Sequence, residues 1–218
     1  MNIKTFTDFE NFVSKNKNIK RCIIRCDLNL PSDIEDLSRV YAIKDTVLSV
    51  IEMGLHVVLI SHYKRPKIDD VINPKFSLKH IVDSVSKVLE KDVYFEKSSI
   101  FDIDPKSVTS QLTLFENLRF YEGETKNDEE LAERLAKFGD VYINDAFSVS
   151  HRSHTSVCAI TKHLPSFAGK SLQREIDGIS KVTNNINRPF VAIIGGSKVS
   201  SKIDVLKHIS NTSDYLVI

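Results

Sequence analysis

Cysteine is scarce in this chain, at three among 218 residues, and an odd number gives no disulfide framework. On a strand, Cys22 and Cys26 would lie about 13 Å apart at ~3.3 Å per residue, beyond bridging distance. The Cys-x-x-Cys spacing of zinc knuckles is absent too, so buried, reduced thiols are expected. No apolar run approaches the ~20 residues of a membrane span, and Met1 to Glu10 mixes charges with single aromatics where a secretory signal has an apolar centre. A cytoplasmic protein is the expectation. An excess of either charge is also lacking: 30 Lys and Arg against 29 Asp and Glu leave +1. That balance offers no whole-molecule attraction to nucleic acid or to an anionic membrane, so any anion site must be local. Repeats and low-complexity tracts are missing as well.

What is present is an ordinary globular composition, 41% hydrophobic and 27% charged, sufficient for a full core. Short β-branched runs alternate with longer amphipathic segments, which predicts an α/β chain of βαβ units on a parallel sheet. Strands are expected at Cys22–Cys26, Val57–Ser61, Val93–Phe95, Leu112–Phe115, Val141–Asn144, Val191–Ile194 and Tyr215–Ile218. Helices are expected at Leu37–Met53, Leu78–Leu89, Asp128–Phe138, Leu172–Val182 and Ser200–His208, with Ser77 and Asn127 as start signals.

The segment Asn184 to Pro189 ends a helix and precedes a fresh strand, turn, helix and strand, which marks a boundary. The chain then stops on Asp214-Tyr215-Leu216-Val217-Ile218, a strand with an apolar face and an open edge. Truncation within a second lobe is the expectation from that ending.

In open parallel sheets ligands bind outside the carboxyl ends of the strands. Asp27-Leu28-Asn29-Leu30-Pro31 follows the first strand, and Ser61-His62-Tyr63-Lys64-Arg65-Pro66 the second. Glu116-Asn117-Leu118-Arg119 follows the Leu112 strand, and Asn144-Asp145-Ala146-Phe147 then His151-Arg152-Ser153-His154 the Val141 strand. Parallel strands place these tips on one edge, so His62, Arg65, Arg119, His151 and Arg152 should converge. Guanidinium forks beside imidazoles suit a small, multiply charged anion. Asp27 and Asn29, set among the cations, can accept from ligand hydroxyls.

A second kind of anion site is suggested by Ile193-Ile194-Gly195-Gly196-Ser197-Lys198-Val199-Ser200-Ser201-Lys202, a strand, a glycine turn and a helix start with two lysines on one face. Glycines admit a phosphate to the backbone, and a helix N-terminus favours negative charge. The glycine spacings of a Walker loop and of a dinucleotide fingerprint are both absent.

These motifs resemble those of the phosphoglycerate kinase family. Arg25-Cys26-Asp27-Leu28-Asn29-Leu30-Pro31 is similar to the family's Arg-Val-Asp-Phe-Asn-Val-Pro, and Ser61-His62-Tyr63-Lys64-Arg65-Pro66 to its Ser-His-Leu-Gly-Arg-Pro. Phe115 to Phe120 is similar to Leu-Glu-Asn-Leu-Arg-Phe, and Asn144 to His154 to Asn-Asp-Ala-Phe-Gly-Thr-Ala-His-Arg-Ala-His. Gly195 to Lys202 is similar to Gly-Gly-Ala-Lys-Val-Ser-Asp-Lys. All occur in family order across essentially the whole chain.

The resemblance implies a Rossmann-like parallel sheet flanked by helices as a phosphoglycerate-binding lobe at residues 1–170. A linker helix at 171–188 and the truncated, incomplete βαβ start of a nucleotide-binding lobe at 189–218 would follow. It implies reversible phosphoryl transfer between ATP and 3-phosphoglycerate, with magnesium accompanying ATP or ADP and its ligand beyond this chain, in a monomer. Asp27, Asn29, Arg39, His62, Arg65, Arg119 and Arg152 would bind phosphoglycerate. Arg39 and Lys198 would face the transferring group, and Gly195, Gly196, Lys198 and Lys202 the nucleotide.

Three departures accompany the resemblance. Lys64 stands where the family has glycine, Ser148-Val149-Ser150 replaces Gly-Thr-Ala, and the connection Ser32 to Ser38 is short. A lost glycine at positive φ costs on the order of 1 kcal/mol. The 218-residue chain alone is expected to bind phosphoglycerate weakly without turnover. Two other readings remain open here: a non-catalytic anion-binding module, and a metal-dependent hydrolase built on Asp145, His151 and His154.

Overall fold

The computed structural model describes residues 3–30, 36–67, 73–183, 186–195 and 203–217. It opens with a helix that the sequence reading missed. Thr5 accepts the Asp8 N–H with its hydroxyl, while the Asp8 carboxylate accepts the Thr5 N–H at 2.7 Å, a reciprocal capping box. That box starts α1 (Phe6–Lys15), which turns Phe6, Phe9 and Val13 into the core. Its four apolar positions, Phe6, Phe9, Phe12 and Val13, are interleaved with polar and charged residues in a single short helix with no preceding element to flag it.

β1 (Arg21–Arg25) and β2 (His56–Ile60) are buried along almost their whole length, with Ile23, Ile24, Val57, Val58 and Ile60 among them, as parallel strands covered on both faces must be. Between them runs α2 (Ser38–Glu52). A 3₁₀ turn, Leu78–Ile81, leads into α3 (Val82–Leu89), then β3 (Tyr94–Glu96) and β4 (Leu112–Phe115). α4 (Glu129–Ala136), β5 (Val141–Asn144), β6 (Ser166–Ala168) and α5 (Lys170–Thr183) follow. β6 was also missed, because three residues beginning with serine show no alternation.

The six strands pair in parallel in the order β3-β4-β2-β1-β5-β6. Successive side chains of a strand point to opposite faces, and the core divides accordingly. Cys22, Ile24, Val57 and Leu59 pack with Phe9, Val47 and Val85 under α1, α2 and α3. Ile23, Val58, Ile60 and Tyr142 face the other way, against Leu131, Leu135 and Phe138 of α4 and its end. The result is a parallel α/β sheet with helices on both faces. Cys22 and Cys26 are buried free thiols; burial pushes Cys22 well above its usual range and Cys26 up to about 12. Cys158 is a half-buried free thiol.

The chain divides into two compact units, Met1–Gln173 and Arg174–Ile218. The second holds β7 (Val191–Ile193), α6 (Ile203–Thr212) and β8 (Tyr215–Val217), with β7 and β8 parallel. The Asp214 carboxylate starts β8 by accepting from the Phe190 N–H and from Arg188. Among the described residues no helix is long and apolar enough to cross a membrane.

Candidate functional site

Six parallel strands put their carboxyl ends on one edge. There β1 runs into Asp27, whose Oδ1 accepts the Asn29 N–H. Asp27 Oδ2 accepts from Arg39 Nη1 of α2 and from Ser148 Oγ in the turn after β5, both at 2.5 Å. Burial would raise this carboxyl, but the Ser148 hydroxyl, Arg39, the Asn29 N–H and His62 together hold it below the usual range. One carboxylate thus ties the ends of two adjacent strands to a helix.

The next tip is fixed by amides. Ser61 Oγ accepts the Leu28 N–H, and Asn29 Oδ1 accepts the Lys64 N–H, both at 2.9 Å. Lys64 sits at φ +50, in the left-handed region that glycine fills without strain, and its ammonium lies 4.8 Å from the Tyr63 ring centre. Asn117 holds this turn to the one after β4. Its Oδ1 accepts the N–H groups of Tyr63 and Arg119, and its Nδ2 donates to the carbonyls of Tyr63 and Phe76. Ser148, the other residue at a family glycine position, lies in a 3₁₀ turn (Phe147–Val149) and is not among the residues of positive φ. The expected backbone cost therefore falls on Lys64 alone, and Ser148 gains a bond to Asp27.

The cations do share one field. Arg119 is half-buried; burial and the charges of Arg152, Arg65 and Arg25 depress its pKa, against the opposing pull of Glu124. Its Nε is buried and meets no acceptor among the described residues. Burial together with Arg25 brings His62 down to about 3, with Arg119 and Arg152 adding to the effect and Asp27 opposing it. His154 falls to about 4 through burial and the neighbouring Arg119, Arg152, Arg25 and His151. Arg119 and Arg152 thus act on both His62 and His154, Arg65 acts on Arg119 and His151 on His154, while Asp27, with Asn29 and Arg39 bonded to it, stands on the β1 side.

Three participants were not singled out in the sequence. Arg25 is fully buried at the end of β1, Glu124 is fully buried in the 3₁₀ segment Glu122–Lys126, and Ser156 is fully buried beyond β5. Arg25 Nε donates to Ser156 Oγ at 2.9 Å, and Ser156 Oγ donates to Glu124 Oε1 at 2.6 Å. Glu124 Oε2 accepts the Ser156 N–H at 3.0 Å. Burial raises the Glu124 carboxyl although Arg25 and Ser156 pull it down. An arginine inside an apolar strand was the available signal for Arg25; Glu124 lies in a charged stretch that reads as surface.

The hydrolase arrangement does not form. Asp145 Oδ1 accepts the Leu172 N–H at 2.9 Å, committing the carboxylate to the start of α5. Among the described residues no group of three His, Cys, Asp or Glu side chains could hold a metal. Of the glycine-turn residues only Gly195 is described; Gly196, Lys198 and Lys202 lie outside the described residues, as do Pro31 and residues 32–35 of the short connection.

A family model described as "Phosphoglycerate kinase" matches residues 13–218. A phosphoglycerate kinase of Brucella suis is 40% identical over 217 residues, covering 96% of this chain and 54% of that protein. One of Borreliella burgdorferi is 39% identical over 225 residues, covering 100% of this chain and 56% of that protein. Among solved structures, phosphoglycerate kinase from Coxiella burnetii aligns at TM-score 0.79 with 32% identity, covering 93% of this chain and 52% of that one. The enzyme from Pyrococcus horikoshii aligns at TM-score 0.78 with 25% identity, covering 90% and 52%. The chain spans about half the length of the curated relatives it matches. With strand order, tip motifs and family match in agreement, the chain belongs to the phosphoglycerate kinase family.

Proposed function

We propose that the strand-tip cluster binds 3-phosphoglycerate, as the acyl-phosphate side of the reaction ATP + 3-phosphoglycerate = ADP + 1,3-bisphosphoglycerate. The observation that carries this reading is the charge balance. The charges of Arg152, Arg65 and Arg25 reach Arg119, and those of Arg25, Arg119 and Arg152 reach His62. Glu124 opposes them at Arg119 and Asp27 at His62, and Arg119 Nε–H meets no acceptor among the described residues. A multiply charged anion supplies what the cluster lacks, and bidentate guanidinium contacts are the strongest way to hold it.

In this reading Arg65, Arg119 and Arg152 bind phosphate or carboxylate oxygens, with His62 as a neutral donor. Asp27 accepts from the ligand hydroxyl. Asn29, whose carbonyl oxygen already takes the Lys64 N–H, turns its Nδ2 donor to the ligand. Arg39 and Lys198 face the transferring group, and Gly195, Gly196, Lys198 and Lys202 meet the nucleotide, ATP or ADP with magnesium. Phosphoryl transfer from a carboxylate leaving group needs alignment and cations around the equatorial oxygens, not a proton relay. The protein would act as a cytoplasmic monomer on small molecules, with no role for nucleic acid or membrane. Residues 1–170 would form the phosphoglycerate lobe, 171–188 a linking helix and 189–218 the start of the nucleotide lobe.

Calorimetric titration of the 218-residue chain with 3-phosphoglycerate tests the proposal. Binding that weakens with added salt and falls roughly 10- to 100-fold in Arg119→Ala is expected, the size of a lost charge-assisted contact. No heat at millimolar ligand, or an Arg119→Ala titration identical to the parent, overturns it.

A further inference from the structure

The guanidinium of Arg25 is fully buried and makes hydrogen bonds in three directions. Its Nη1 donates to the Cys26 carbonyl, its Nε donates to Ser156 Oγ at 2.9 Å, and its Nη2 lies 3.1 Å from His62 Nδ1. Arginine keeps its proton and has no acceptor to offer. Nη2 must therefore donate, and His62 Nδ1 must be the bare nitrogen of the ring. The single imidazole proton then sits on Nε2.

This arrangement is braced from behind. Ser156 Oγ accepts from Arg25 and passes its own proton to Glu124 Oε1 at 2.6 Å, while the Ser156 N–H holds Glu124 Oε2 at 3.0 Å. The Ser156 carbonyl in turn accepts the Tyr142 hydroxyl at 2.7 Å. Every member of the chain from Glu124 through Ser156 to Arg25 is fully buried, so its hydrogen bonds are made without competition from water. Asp27 favours the charged ring instead, and Arg119 and Arg152 disfavour it.

We propose that Arg25, oriented by Ser156 and Glu124, is a positioning residue that locks His62 as the neutral Nε2–H tautomer, presenting a fixed donor to the anion at the strand tips. Its functional consequence rests on the phosphoglycerate reading; the tautomer itself does not. A ring of undetermined tautomer would aim a lone pair at an anionic oxygen for part of the time, which is repulsive. The locked ring always offers an N–H.

The test is long-range ¹H–¹⁵N NMR of the ligand-free, full 218-residue chain labelled at histidine, with His62→Gln identifying the His62 signals. At neutral pH the parent should show an unprotonated Nδ1 and a protonated Nε2. In Ser156→Ala and Glu124→Gln the two nitrogen shifts should move toward each other as the second tautomer becomes populated. If phosphoglycerate binds, Ser156→Ala should weaken it roughly threefold to tenfold, the loss of one neutral hydrogen bond. An Nδ1–H ring or an imidazolium in the parent overturns the inference without any variant having to fold. So does a His62 signature unmoved in both variants. Because the shifts are read without ligand, a protein that fails to bind phosphoglycerate defeats the proposed function and leaves the tautomer result standing.

Discussion

Gly169 lies so close to Asp145 that a Cβ added to it would fall 2.3 Å from the Asp145 carboxyl carbon. The Gly169 N–H donates to the Asn144 carbonyl at 2.8 Å, and Asp145 caps the start of α5 through the Leu172 N–H. The end of β6 is thereby clamped to the end of β5.

Gly169→Ala forces that clamp open. Overpacking of this kind costs about 1–3 kcal/mol, so the urea midpoint should fall by the corresponding amount with the slope unchanged. A loss under about 0.5 kcal/mol would show that the contact yields freely.

Acid should weaken the fold through His62. The residue is only 5% exposed, and burial together with Arg25 holds its folded pKa at about 3, below the usual 6.5 of a free imidazole. The unfolded chain therefore takes up a proton that the folded one refuses. The contribution is whole above pH 6.5 and erodes as pH falls from there toward 3. At pH 5 the erosion is on the order of 2 kcal/mol for one such group. The charges facing the ring are Arg25, Asp27, Arg119 and Arg152. His62→Gln should flatten the stability curve between pH 6.5 and 4.5 when denaturant midpoints are compared; an unchanged slope would contradict the burial of a neutral imidazole.

Ser148→Gly restores the residue the family has at that turn and removes one of two donors from Asp27 Oδ2. The Asp27 carboxyl should titrate higher as a result, since the Ser148 hydroxyl is the largest influence lowering it. Carbon-detected NMR titration reads this directly. An unmoved Asp27 would mean that Arg39, the Asn29 N–H and His62 hold the charge without Ser148.

Thr5→Ala deletes the cap of α1. Loss of a side-chain N-cap typically costs about 1 kcal/mol, and Phe6 and Phe9, which meet at 5.2 Å, depend on the helix it starts. A denaturant midpoint equal to the parent's would show that packing alone specifies α1.

Legibility in the sequence followed burial. Ile23-Ile24 and Val57-Val58-Leu59-Ile60 are covered on both faces, and such strands advertise themselves as apolar runs. The tip residues were legible for a related reason: polar groups directly after such a run land on one edge of the sheet. Ser166-Phe167-Ala168 was not, because an edge strand of three residues is recruited by pairing with β5 and not by its own pattern. α1 stayed hidden since its signal is the Thr5–Asp8 reciprocity. Glu124 and Ser156 carry no local mark, as their roles are set by groups 32 residues apart meeting around Arg25. The strain expected at both lost glycines resolved only in φ: Lys64 bears it, Ser148 does not.

The arginines of the strand-tip cluster come from positions as distant as Arg25 at the end of β1 and Arg152 beyond β5, and no short segment contains the site. Like charges are therefore gathered only once the sheet's central strands are in register, and their repulsion is borne by the whole assembly. An anion seated there would work as a buckle drawn across the four central strands, β4, β2, β1 and β5. Its stabilisation should appear as a global rise in unfolding free energy that grows with the logarithm of ligand concentration. Amide protons deep in β1, β2 and β5 should slow in exchange together with those of the loops that touch it.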